Sequence, residues 1–120
     1  MTPEPRRPES LLPLTPVLFH VLVSLADADR HGYAILKEVA ERTRATVVLS
    51  TGTLYGLIKR SLADGLIEPS RRRAPAEDDE RRRYYRLTAF GRQVVAAEAE
   101  RLQDMVTSAR AKRLIRRSES

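Results

Sequence analysis

Residues 50–67 read STGTLYGLIKRSLADGLI. Leu54, Leu57, Ile58 and Leu62 recur at three- and four-residue steps, the period of a helix with one buried face. Ser50 stands where an N-cap belongs, and Gly65 where a left-handed residue ends a helix. The spacing therefore predicts a helix over 50–64, with Gly52, Tyr55, Gly56, Lys59 and Ala63 on the opposite face. Glycine in a helix interior costs about 1 kcal/mol relative to alanine. That cost has a use if another body must approach the helix backbone closely. A face of small residues carrying one tyrosine and one lysine suits the DNA major groove, which admits a helix only if its side chains do not hold it off. Ser50, Thr51 and Thr53 add short donors near the helix N-terminus, where backbone amides also favour phosphate, and Arg60 adds charge beside Lys59. A capped surface helix with two incidental glycines fits the same residues nearly as well.

Two helices are expected before this one. Thr15-Pro16 is an N-cap followed by proline at the first helical position, and VLFHVLVSLA at 17–26 is apolar on nearly every side. Such a helix must be covered on every side, which points to a partner chain, with Val17, Leu18, Val21 and Leu22 as contact residues. YAILKEVAERT at 33–43 turns Ile35, Leu36 and Val39 inward. His31 and Tyr33 open this helix, which in a helix-turn-helix crosses near the DNA backbone. His31 also fits a plain capping role, and His20 a hydrogen-bonded core or interface residue. TVVLS at 46–50 is a β-prone link, and residues 1–13, with four prolines and mixed charge, read as a disordered arm.

After the glycine, LIEPSRRR and RRRYYRLT read as two strands around the polar loop APAEDDE. Arg71, Arg72 and Arg73 would then face Arg81, Arg82 and Arg83 across the hairpin. Like charges opposed in this way destabilise a hairpin, and a polyanion would relieve them. Arginine can also enter a narrow minor groove. The acids at 77–80 can pair with some of these arginines, but six exceed four. Tyr84 and Tyr85 should point to opposite faces, one of them into the core. Thr88 caps a last helix running to about Arg113, and residues 114–120 form a frayed tail. In that helix Val95, Ala99, Leu102, Val106 and Ala109 follow a heptad step, with Met105 beside them. Two apolar surfaces without cover in one small chain favour a symmetric dimer.

The order helix, helix, helix, strand, strand, helix is mainly α with a small β-hairpin. It makes a winged helix-turn-helix over 14–87 and a long C-terminal dimerisation helix over 88–113. The 120 residues carry a net charge of +6, of which 71–86 hold +3 and 101–120 hold +4. Charge confined to two segments favours a footprint over a generally basic surface. There is no cysteine, and the two histidines assemble no metal site. No glycine-rich phosphate loop follows a strand, and Ser50 has no visible base or oxyanion partner, so neither a cofactor nor an enzyme is expected. No apolar run reaches the length of a membrane span, and a cytoplasmic, DNA-associated protein is expected.

Taken in order, HGY, GTLYGLIKR, DGLIE and RRRYYRLT followed by glycine resemble the PadR family of bacterial transcriptional regulators, in its short form with a single C-terminal helix. The resemblance covers residues 14 to about 110. It implies a dimeric winged-helix repressor whose first and last helices make the dimer, with Tyr55 and its neighbours in the major groove and the arginine hairpin near the minor groove or backbone. Any small-molecule effector would sit near the dimer interface, and its identity is left open. Two positions depart from the family pattern. Ser61 replaces a usually apolar residue, with Leu62 expected to take over part of its packing, and Gly56 stands where many members carry proline. The expected function is repression of its own or a neighbouring operon through a double-stranded, inverted-repeat operator. The competing reading is a protein-interaction module that keeps the winged fold as a scaffold and binds an acidic partner. Salt-resistant binding to a protein, without DNA affinity, would separate the two.

Overall fold

Thr15 starts the first helix by accepting a hydrogen bond from the Leu18 amide, and proline fills the first helical position of α1 (Pro16–Ser24). The computed structural model describes residues 6–71 and 83–116. A two-residue strand, β1 (Arg30–His31), precedes α2 (Gly32–Arg42), whose N-cap is His31: its Nδ1 accepts from the Ala34 amide at 3.2 Å. After α2, Arg44 and Ala45 adopt left-handed backbone angles. The Thr43 hydroxyl stitches the bend by donating to the Val39 carbonyl and accepting from the Val47 amide. Residues 46–50 form no strand, contrary to their β-prone composition. Val47 and Leu49 are instead used singly, as packing against the core.

The helix predicted at 50–64 is α3 (Thr51–Ala63), capped by Ser50. It ends as expected. Gly65 takes φ +73°, its amide bonds the Leu62 carbonyl, and the Leu66 amide bonds the Ser61 carbonyl. This paired closure needs a left-handed residue that only glycine adopts without strain. Strands β2 (Ile67–Pro69) and β3 (Tyr84–Leu87) pair antiparallel, with Ile67 opposite Leu87 and Pro69 opposite Tyr85. β1 joins the other edge of β3, so the sheet has three strands in the order β1-β3-β2 rather than two. Proline is tolerated in β2 because that strand is an edge.

Thr88 caps α4 (Ala89–Ala111) and accepts from the Gly91 amide at 2.8 Å, while its hydroxyl donates to the Gly65 carbonyl at 2.6 Å. α4 crosses so near the end of α3 that a Cβ on Gly91 would lie 1.9 Å from the Leu66 carbonyl oxygen. The core is shared by all four helices and the sheet, and includes Leu22, Ile35, Val39, Leu54, Ile58, Leu66 and Val94. Each such side chain contributes about 1.5–3 kcal/mol by leaving water. Val94 belongs to this core, so the first turns of α4 complete the winged domain. From Ala99 onward no residue of α4 is buried.

The segment before α1 departs from the expected disordered arm. Pro8–Leu11 form one turn of 3-10 helix against α4, Leu11 and Leu12 pack on the core, and Leu14 is buried. The apolar residues of SLLPL outweigh the prolines there. Arg6 lies over the Phe90 ring, 4.9 Å from its centroid, and donates to the Asp64 carbonyl at the C-terminus of α3.

Candidate nucleic-acid interface

The outer face of α3 is open. Thr51, Gly52, Thr53, Tyr55, Gly56, Lys59, Arg60 and Ala63 are all exposed. Among the described residues, a Cβ added at Gly52 or Gly56 would meet no atom within 4 Å beyond its chain neighbours and its own helix backbone. No packing among the described residues therefore calls for glycine at either position. Ser50 is committed to the cap, accepting from the Thr53 amide and donating to the Thr53 hydroxyl oxygen at 2.9 Å. Thr51 and Thr53 remain the outward hydroxyls.

Two expectations for this helix are corrected. Ser61 is 1% exposed and Leu62 36%, so the inward stripe runs Leu54, Ile58, Ser61 with Leu57 half-buried, and Leu62 does not take over the packing. The four- and three-residue steps through 54, 58 and 61 fix that stripe, whatever residue occupies the last place. Nor does Tyr55 project in isolation. It is half exposed, and its ring leans across to α2 over the bare backbone of Gly32, where a Cβ would lie 3.0 Å from the tyrosine hydroxyl oxygen.

That contact brings the starts of α2 and α3 into one surface. Tyr33 is 67% exposed and stacks on His31, centroids 6.5 Å apart. His31 also meets the Tyr84 ring edge-on at 5.2 Å. Tyr84 and Tyr85 are both buried, against the expectation that only one would be. The added strand β1 covers the sheet on that side: His31 opposes Tyr84, and Arg30 opposes Tyr85.

The wing continues the same register beyond the sheet. The Ser70 amide bonds the Tyr84 carbonyl, and Arg71 and Arg83 stand exposed where the two strands leave the body. Arg72, Arg73, Arg81 and Arg82, with the acids at 77–80, lie outside the described residues. Arg86 pairs with Glu68 across the strands at 2.8 Å. Ser70 also donates to Asp29, tying the wing base to the turn before β1. Arg30 reaches back to the Ser24 carbonyl and to Asp27.

On the opposite side, α1 is held by polar ties that the sequence did not reveal. Arg42 donates to the His20 carbonyl at 2.9 Å, lies 3.0 Å from His20 Nδ1, and pairs with Glu38. Burial first, and the Arg42 charge second, hold the His20 imidazole below its ordinary pKa, while Glu38 opposes them. Glu98 is a buried acid on α4. It accepts the Leu14 amide at 2.8 Å and pairs with Arg101. The Arg101 hydrogen bond keeps the Glu98 carboxyl below the usual range although burial pushes the other way, and the Leu14 amide and the Arg101 charge assist. The one signal in the sequence was its place four residues after Val94 on the inward stripe.

Of the residues expected at a dimer contact, Val21 and Leu22 are fully buried inside this chain and cannot offer a surface. Val17 and Leu18 are half-buried on α1. On α4, Val95 packs against the chain's own core, Leu102 and Ala109 are half-buried, and Ala99, Met105 and Val106 are exposed. Among the described residues no helix is long and apolar enough to cross a membrane.

Known proteins share this arrangement. The chain is 33% identical over 89 residues to the transcriptional regulator Rv3488 of Mycobacterium tuberculosis, covering 74% of this chain and 78% of that protein. It is 31% identical over 72 residues to an uncharacterized protein of Lysinibacillus sphaericus, covering 60% of this chain and 64% of that protein. The fold matches the crystal structure of a PadR family transcription regulator of Clostridium difficile with a TM-score of 0.66 at 24% identity, covering 81% of this chain and 97% of that one. The family model of PadR-like transcriptional regulators matches residues 21–97. With its winged helix-turn-helix and long C-terminal helix, the chain belongs to the PadR-like family of transcriptional regulators.

Proposed function

We propose that this regulator is a homodimeric repressor that reads an inverted-repeat operator in its own or a neighbouring promoter. α3 would enter the major groove with Tyr55 and Lys59 toward the bases. Thr51, Thr53, Arg60, His31 and Tyr33 would lie along the phosphates, and Arg71 to Arg73 with Arg81 to Arg83 would follow the flanking minor groove or backbone. The observation that carries this reading is the outer face of α3: two glycines, with nothing packed against them among the described residues, accompany an exposed tyrosine. Each glycine destabilises the free protein, and close approach of a duplex gives that cost a use.

Dimerisation supplies the second half-site. We assign the exposed Met105 and Val106 on α4, and the half-buried Val17 on α1, to contacts with a second copy. Two recognition helices related by a two-fold axis would meet half-sites separated by about 34 Å or a multiple of it.

The test is a gel-shift with the DNA upstream of the protein's own coding sequence, run against scrambled duplex at moderate salt. A specific band is expected. Tyr55→Ala should weaken the specific complex by roughly five- to 150-fold, the equivalent of about 1–3 kcal/mol for a base contact, and leave scrambled-DNA binding unchanged. Normal operator binding by Tyr55→Ala would overturn the assignment of α3. An operator-release screen against small molecules addresses the effector.

A further inference from the structure

We propose that Gly32, a residue of α2 that need not touch DNA, is the positioning residue that aims Tyr55. The inference rests on the reading of α3 as the recognition helix and adds how its tyrosine is held. If a Cβ is added at Gly32, its three nearest neighbours all belong to one side chain: the Tyr55 hydroxyl oxygen at 3.0 Å, Cζ at 3.2 Å and Cε1 at 3.5 Å. On α3 the residue three places before Tyr55 is Gly52, which carries no Cβ to meet the ring, while Thr51 and Lys59 are its four-residue neighbours. On its α2 side the ring rests against the bare backbone of Gly32.

Tyrosine has two side-chain torsions and a rigid ring, so it cannot bend away from an added methyl group. It must swing outward as a body. At 3.0 Å the shift needed is a few tenths of an ångström, and the hydroxyl, at the far end of the ring, moves furthest. That shift uses up much of the roughly half-ångström within which a binding geometry must be held, so a modest loss of specific affinity is expected. The same contact couples the two helices: α2 starts at the His31 cap, so the cap also fixes where the Tyr55 ring can rest.

The experiment is a double-mutant cycle on the full chain, using Gly32→Ala, Tyr55→Ala and the double variant. The probe is a duplex selected from a random pool by the wild-type protein, with scrambled duplex of equal length as the reference. Gly32→Ala should lower specific affinity roughly two- to fivefold, leave scrambled-DNA binding unchanged, and have no further effect in the Tyr55→Ala background. If Tyr55→Ala weakens specific binding but Gly32→Ala does not, or costs the same in both backgrounds, the positioning role fails while the recognition helix stands. If Tyr55→Ala has no effect, both fail. Should Gly32→Ala unfold at the assay temperature, the cycle is read on melting temperature, where Tyr55→Ala must restore the loss and failure to do so overturns the contact.

Discussion

At position 61 a hydroxyl group sits in the core without a hydrogen-bond partner. Leaving such a group unpaired costs about 1–3 kcal/mol, partly offset here if its removal opens a small void. Ser61→Ala is therefore expected to stabilise the chain by about 1 kcal/mol and raise its melting temperature by several degrees in a calorimetric scan; a lowered midpoint would show that the hydroxyl is satisfied in solution. Gly56 makes the complementary case. A methyl group there meets nothing among the described residues, so Gly56→Ala should gain about 1 kcal/mol from helix propensity. The same methyl faces the proposed groove and should weaken operator binding several-fold. A variant that is more stable and binds equally well would remove the reason offered for the glycine. These residues also mark where sequence reading succeeded and failed. The open face around Tyr55 was legible because the 3.6-residue period fixes which side chains share a side. Ser61 and Leu62 were exchanged because reading by hydrophobicity follows residue type, and the packing of α3 follows position. The support of Tyr55 by Gly32 was hidden, since it joins residues 23 apart in sequence through a side chain and a bare backbone.

The helices announced themselves through their first residues. Thr15, Ser50 and Thr88 each accept an amide three residues on, and each was readable as a cap because its hydroxyl stands just before a helical pattern. β1 was not readable: two residues carry no periodicity, and Arg30–His31 become a strand only because β3 lies beside them. The segment before α1 was misjudged for a related reason. Its order comes from docking on α4, a partner some eighty residues away, and Glu98 receives it by accepting the Leu14 amide. Glu98→Gln removes the charge while keeping the shape. It should cost about 1–3 kcal/mol at neutral pH, with Arg101 left partly exposed and unpaired. Because the folded state lowers the Glu98 pKa, its ionised form is what stabilises the chain. That stabilisation is complete well above the unfolded value of about 4.3 and is lost as pH falls below it. In urea titrations at several pH values, the gap between wild type and Glu98→Gln should be full near pH 6 and shrink below about pH 4.3. A constant gap would mean that the carboxylate charge contributes nothing.

At the scale of the molecule, α4 leaves Met105 and Val106 exposed, the surface assigned above to a second copy in the proposed dimer. Val106→Glu places charge on that surface at a position already 41% exposed, so the fold should change by no more than about 0.5 kcal/mol. Sedimentation should show wild type as a dimer and the variant as a monomer at micromolar concentration, with specific DNA affinity falling as well. A dimeric variant would move the interface elsewhere. The hydroxyl of Thr88 has a consequence at this scale. It bonds the carbonyl of Gly65 just past α3 and the amide of Gly91 in the first turn of α4, so one atom clamps the reader to the shaft. The shaft has 23 residues and is about 34 Å long. Pivoting such a lever by about 10° moves its far end by roughly 6 Å, close to two base-pair steps of about 3.4 Å. In the proposed dimer, a slight change in how two copies of α4 cross would therefore change the spacing of the two copies of α3.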